Sequence, residues 1–208
     1  HCRYCFRRHF PYAEANASAT NWQAALAYIM AQPDVREVIL SGGDPLTLSD
    51  RRLAEFVQAL DGCRHVERLR LHTRLPVVLP ERVTQGLCAL LAGTRLKTVV
   101  VIHANHAQEL DTATRTACAR LVETGATLLN QSVLLRGVND SVTALAHLSE
   151  ALFAAGVLPY YLHLLDRVQG AAHFDVSEDA ARQLMTGLNA RLPGYLVPRL
   201  VRERPGAP

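Results

Sequence analysis

The sequence predicts an α/β protein, a parallel sheet covered by helices, built either as an open sheet or as an incomplete barrel. Three observations carry that prediction. Short β-branched runs recur with centres about thirty residues apart, the length of one βαβ unit. Segments with helical spacing lie between them, and capping residues stand where those helices should begin and end.

The first strand is expected at "REVILS" (36–41), followed by a helix in which Leu53, Phe56, Val57 and Leu60 fall at i, i+3, i+4 and i+7. Ser49 is its expected N-cap, and Gly62 follows its last apolar turn. The second strand is "VERLRLH" (66–72), with Val83, Leu87, Leu90 and Leu91 as the next helical stripe and Gly93 behind it. "KTVVVIH" (97–103) is the third, its helix ending at Gly125. "ATLLNQSVLL" (126–135) holds the fourth; Ser141 then caps a helix with Leu145, Leu148, Leu152 and Phe153 facing inward, closed by Gly156. "LPYYLHLL" (158–165) is the fifth, and Ser177 opens the last helix. That gives five strands and six helices. The strands are apolar on both faces, as burial on both sides requires. A complete eightfold barrel needs ~250 residues, and this chain has 208. No Gly/Ser-rich linker divides it, so residues 1–208 are expected to form one domain.

Composition narrows the function classes. Hydrophobic content of 49% with 20% charged residues is globular. The longest apolar runs fall far short of the ~20 residues that span a bilayer, and no signal peptide is visible, so no membrane partner is expected. The net charge of +3 is small and dispersed, which argues against nucleic acid. Five cysteines, at 2, 5, 63, 88 and 118, are an odd number, and a reducing cytoplasm is the better inference. Cys63, Cys88 and Cys118 read as small apolar filler.

In parallel α/β architectures, functional groups collect where strands end and loops to the next helix begin. Those positions here carry "SGGDP", "HTRLP", "HANH", "NQS" leading to "RGVND", and "HLLDRVQG". Each alone could be a turn or a helix entry; what counts is that five loops on one rim all carry polar side chains. In "SGGDP" the two glycines let a ligand approach the backbone, and the adjacent carboxylate suits an ammonium group. Cys2 and Cys5, spaced C-x-x-C, fit zinc or an iron–sulfur cluster equally well. Zinc could use His9 as a third ligand, but no second C-x-x-C or H-x3-H follows.

"HCRYCFRRHF" taken with "ILSGGDPL" resembles the radical S-adenosylmethionine (SAM) superfamily, specifically the lysine 2,3-aminomutase family. The likeness runs through "TRLPVVLPER" (73–82), "HANHAQEL" (103–110), "NQSVLLRGVND" (130–140), "PYYLH" (159–163) and "VPRLVRERPG" (197–206), and "HLLDRVQGAAHF" (163–174) looks like the branch that makes β-lysine for elongation factor P. The resemblance implies a partial (β/α)6 TIM-type barrel without its first strand. It implies a 4Fe-4S cluster on C-x-x-x-C-x-x-C, with Cys2 and Cys5 matching the second and third cysteines. It also implies S-adenosylmethionine, pyridoxal 5'-phosphate, lysine as substrate, a reducing partner of flavodoxin or ferredoxin type, and allows a homo-oligomer. The implied reaction moves the α-amino group of lysine to its β-carbon after reductive cleavage of S-adenosylmethionine to a radical.

Residue by residue, the same resemblance assigns Ser41, Gly42, Gly43 and Asp44 to the methionine moiety, and Gln131 and His103 to the ribose neighbourhood. Arg7 would clamp the carboxylate of lysine. Asp166 and Glu203 would hold its distal ammonium. The family's pyridoxal phosphate lysine is expected just past Pro208, and Lys97, the only lysine, reads as a surface residue. Two other readings stay open: an aminomutase acting on arginine, and a non-catalytic α/β domain with zinc at Cys2, Cys5 and His9.

Overall fold

The computed structural model describes residues 2–5 and 19–202. Six strands, β1 (Glu37–Leu40), β2 (Arg68–His72), β3 (Lys97–Ile102), β4 (Thr127–Val133), β5 (Leu158–His163) and β6 (Arg199–Val201), form one sheet in the order β1-β2-β3-β4-β5-β6. Every pairing is parallel. Among the described residues, seven α-helices accompany them: α1 (Ala19–Met30), α2 (Asp50–Asp61), α3 (Leu75–Val78), α4 (Gln85–Gly93), α5 (Thr112–Glu123), α6 (Val142–Ala154) and α7 (Glu178–Arg191). Consecutive parallel order decides between the two predicted architectures. A doubly wound sheet reverses its strand order at a switch point, whereas right-handed crossovers that always step the same way put every helix on one face and curl the sheet towards a barrel.

The helix-facing core follows from strand alternation. Leu69, Leu71, Val100, Ile102 and Leu128 are buried against Leu53, Phe56, Val57 and Leu60 of α2, Leu87 and Leu91 of α4, and Cys118 and Leu121 of α5. A second cluster joins Leu162 and Leu164 to Leu145 of α6, Leu188 of α7 and Leu196. The N-caps are as expected: Ser49, Ser141 and Ser177 accept from Arg52 N, Ala144 N and Ala180 N.

Four expectations change. The sixth strand, β6, is three residues long and follows Pro198, so it carries no periodic signal. The helix count rises because "LPVV" forms the single turn α3, in addition to the longer α1. Phe153 is 50% exposed and packs on Tyr195 at 5.5 Å between ring centroids; at 100° per residue it lies about 80° round the helix from Leu145. Finally, the strands are not apolar on both faces. The concave face carries Glu37, Arg70, His72, Gln131 and His163, all only partly buried. Glu37 and Arg70 form an ion pair of 2.5 Å across β1 and β2. On β5, Pro159 offers no N–H to the ladder, and the register slips between Asn130 and Gln131. The slip brings neighbouring Tyr160 and Tyr161 together, their rings stacked at 3.7 Å and their hydroxyls 2.9 Å apart.

Candidate active site

At the C-terminal ends of the strands, the concave face opens into a cavity of about 440 Å³. Cys2, Cys5, Ser41, Gly42, Gly43, Asp44, His103, Gln131 and Asp166 all line it. Arg7 and Glu203, together with His9, lie outside the described residues. Lys97 is exposed at the first residue of β3, the end of that strand away from His103.

The loop after β1 is shaped by its sequence. Gly42 has φ +70°, a left-handed conformation that a side chain would strain, and the space where its Cβ would stand is open. Asp44 does more than the sequence suggested. Its carboxylate accepts from Leu46 N (3.0 Å), the Thr73 hydroxyl (2.7 Å) and Arg74 N (2.8 Å), so it caps its own turn and brackets it to the loop after β2. Arg82 reinforces the bracket, donating to the carbonyls of Leu46 and Leu48 and pairing with Asp50 at 2.7 Å.

The loop after β3 is held by β4. Alternation sends Asn130 and Ser132 to the buried side and Gln131 and Val133 to the cavity. Asn130 grips Ala104 through both its N–H and its carbonyl, and the Ser132 hydroxyl donates to the same carbonyl. Asn139 donates to the carbonyls of Asn105 and Val133 and accepts from Leu135 N. Thus Asn130, Ser132 and Asn139 of "NQSVLLRGVND" form the frame, while Gln131 is aimed at the site. His106 caps the turn at Ala107–Glu109, accepting from Gln108 N.

Tyr4 and Arg74 are the residues that sequence reasoning passed over. Arg74 donates through Nη1 to Cys2 Sγ (2.9 Å) and to the Tyr4 hydroxyl (2.8 Å), and through Nη2 to Glu109 (2.9 Å). Asn105 Nδ2 also donates to that hydroxyl. With two donors on its oxygen, the phenol has its own proton left for His103 Nε2, 3.1 Å away, which makes His103 the acceptor there. The electrostatics agree. Burial, with Arg74 and His163 nearby, pushes the His103 pKa down to about 3, so the imidazole stays neutral. Burial likewise pushes the Tyr4 phenol up to about 12. The one available signal was position: Tyr4 sits inside the C-x-x-C spacing, and Arg74 inside a loop of the polar rim.

No family model matches the chain. Curated relatives do. It is 55% identical over 207 residues to the L-lysine 2,3-aminomutase of Escherichia coli, covering 100% of this chain and 60% of that protein. It is 54% identical over 207 residues to the L-lysine 2,3-aminomutase of Haemophilus influenzae, covering 100% of this chain and 61% of that one. Along its whole length the chain is a homologue of the L-lysine 2,3-aminomutases. It spans about three-fifths of the length of those aminomutases. Among solved structures, a radical SAM methyltransferase from Sphaerobacter thermophilus superposes with a TM-score of 0.59 at 20% identity, over 92% of this chain and 56% of that one. A spore photoproduct lyase variant with bound AdoMet superposes with a TM-score of 0.50 at 13% identity, over 93% of this chain and 59% of that one. The fold of this aminomutase homologue is the partial TIM-type barrel of radical SAM enzymes.

The cavity fits two of the groups that such a fold implies. Cys2 and Cys5 present thiols at its wall from a turn closed by Cys5 N donating to Cys2 O (3.1 Å), two of the sulfur donors that an iron–sulfur cluster takes, and a pair that zinc would accept as well. Gly42 and Gly43 expose backbone in the same cavity as Gln131 and His103, which suits a polar ligand the size of S-adenosylmethionine. Pyridoxal phosphate does not find its lysine here, since no lysine lies on the cavity of this aminomutase homologue.

Proposed function

We propose that the protein carrying this chain is a radical SAM L-lysine 2,3-aminomutase that converts α-lysine to β-lysine, and that the β-lysine serves modification of elongation factor P in the cytoplasm. The observation that carries the reading is convergence. Residues picked from separate loops for a cluster and S-adenosylmethionine, with Asp166 of those picked for lysine, line one cavity at the strand ends, in a chain 55% identical to a named aminomutase.

When bound, the cluster and S-adenosylmethionine supply the electron and the radical that remove a hydrogen from the substrate, and a flavodoxin- or ferredoxin-type partner would renew the electron. The chain's own residues bind and orient. Cys2 and Cys5 hold the cluster against the glycine loop. The exposed backbone of Gly42 and Gly43 receives the ammonium of the methionine moiety, with Asp44 fixing the shape of that backbone. Gln131 hydrogen-bonds the ribose. Arg7 clamps the lysine carboxylate through a bidentate fork, and Asp166 with Glu203 receives the distal ammonium, so an amino acid without that cation would leave two carboxylates uncompensated. His103 stays neutral and Tyr4 stays protonated, so neither adds a charge of its own to the wall. Pyridoxal phosphate enters as the second cofactor of the aminomutases that the chain resembles.

The test is anaerobic reconstitution of the full-length protein, then product analysis with lysine. Iron and sulfide bound in equal amounts, with β-lysine formed, are expected; stoichiometric zinc without sulfide would sink the reading. In the same protein, Asp166→Ala is predicted to lower kcat/KM for lysine at least tenfold, about 1.4 kcal/mol or more. Unchanged lysine turnover would remove Asp166 from the substrate site.

A further inference from the structure

We propose that Arg74 is a positioning residue for the iron–sulfur cluster, donating to the Cys2 sulfur so that the cluster accepts its electron at a higher potential. This rests on the proposed function, which places the cluster on Cys2 and Cys5.

The geometry is specific to a guanidinium. Nη1 reaches Cys2 Sγ at 2.9 Å and the Tyr4 hydroxyl at 2.8 Å, while Nη2 reaches Glu109 at 2.9 Å. A planar fork with fixed donors spans three partners on two chain segments; a lysine ammonium is a single point of charge. Arg74 is itself held from behind, since its backbone N–H donates to Asp44 Oδ2. Its side chain is 27% exposed, so its field is only partly screened by water.

A cationic donor at a ligand sulfur favours the more negative state of the metal group. Reduction takes [4Fe–4S]2+ plus one electron, from a low-potential one-electron donor, to [4Fe–4S]+; the charge added is shared with the cysteine sulfurs. A guanidinium in contact with one of those sulfurs stabilises the reduced state more than the oxidised one and raises the midpoint. Glu109 acts in the opposite sense. Its carboxylate neutralises the far side of the guanidinium while anchored by Asn105 N (2.7 Å) and His106 N (3.1 Å). The two residues therefore form a charge pair with opposed effects on one potential.

The experiment is a redox titration of the reconstituted full-length protein, read by the electron paramagnetic resonance signal of the reduced cluster, without lysine or S-adenosylmethionine. Arg74→Gln is expected to cut the ratio of reduced to oxidised cluster at the wild-type midpoint about tenfold, equivalent to 59 mV for a one-electron couple. Arg74→Lys restores part of the shift. Glu109→Gln moves the midpoint the other way. A residue acting only as a strap would lower cluster occupancy and leave the midpoint of the remaining cluster in place, so an unmoved midpoint in Arg74→Gln overturns the inference while the proposed function stands. If Arg74→Gln retains no cluster, Glu109→Gln decides: an upward shift supports the role of Arg74, and no shift or a downward one overturns it. A wild-type protein without iron and sulfide defeats the proposed function itself.

Discussion

A single imidazole shows how burial near a cation shapes this site. His103 is held neutral, with a pKa of about 3, by burial first and by Arg74 and His163 next. In the unfolded chain a histidine titrates near ~6.5. The folded pKa is lower, so the unfolded state takes up a proton that the folded state refuses, and stability declines as pH falls from about 6.5 towards 3. We predict that His103→Asn gives a shallower fall in Tm than the wild type between about pH 6.5 and 4. Parallel curves would mean that this ring is protonated without cost. Residue types alone could not reveal this state. "HANH" shows two histidines with equal claims, yet one faces a phenol in a closed wall and the other caps a turn.

At the scale of elements, β4 was located from its apolar run, but what its side chains do was hidden. Both its faces were expected to be apolar, whereas its alternation separates Gln131, on the cavity, from its buried neighbours. What it hides is that Asn130, Ser132 and Asn139 are polar because the backbone of the loop after β3 needs partners once buried. Asn139 is fully buried and makes three hydrogen bonds to main chain. We predict that Asn139→Ala destabilises the protein by about 1–3 kcal/mol, from buried groups left without partners. The measurement is the urea midpoint at unchanged slope; a loss under ~0.5 kcal/mol would show that water replaces the amide. Helices α2, α4 and α6 were legible from their stripes, and α2, α6 and α7 from their serine caps. β6 was not, because three residues after a proline make no pattern, and Arg74 was not, because its partners are 72, 70 and 35 positions away in sequence.

Over the whole molecule, strand order and the location of chemistry agree. Loops from five successive strands meet at one rim, so residues as distant as Cys2 and Asp166 share a cavity of about 440 Å³. The sequence announced that rim through its polar loops, but it could not announce how the cysteine turn is fastened. Tyr4 and Arg74 link that turn to the loops after β2 and β3 through side chains alone. A turn fastened by so many side-chain contacts should load like a ready-made claw closing, more than a slack thread wrapping around an ion. We predict that iron uptake by the apoprotein proceeds in one kinetic phase whose rate rises linearly with the supply of iron and sulfide. A plateau at high supply would expose a slow rearrangement of the turn, and replacing Tyr4 by Phe should introduce such a plateau.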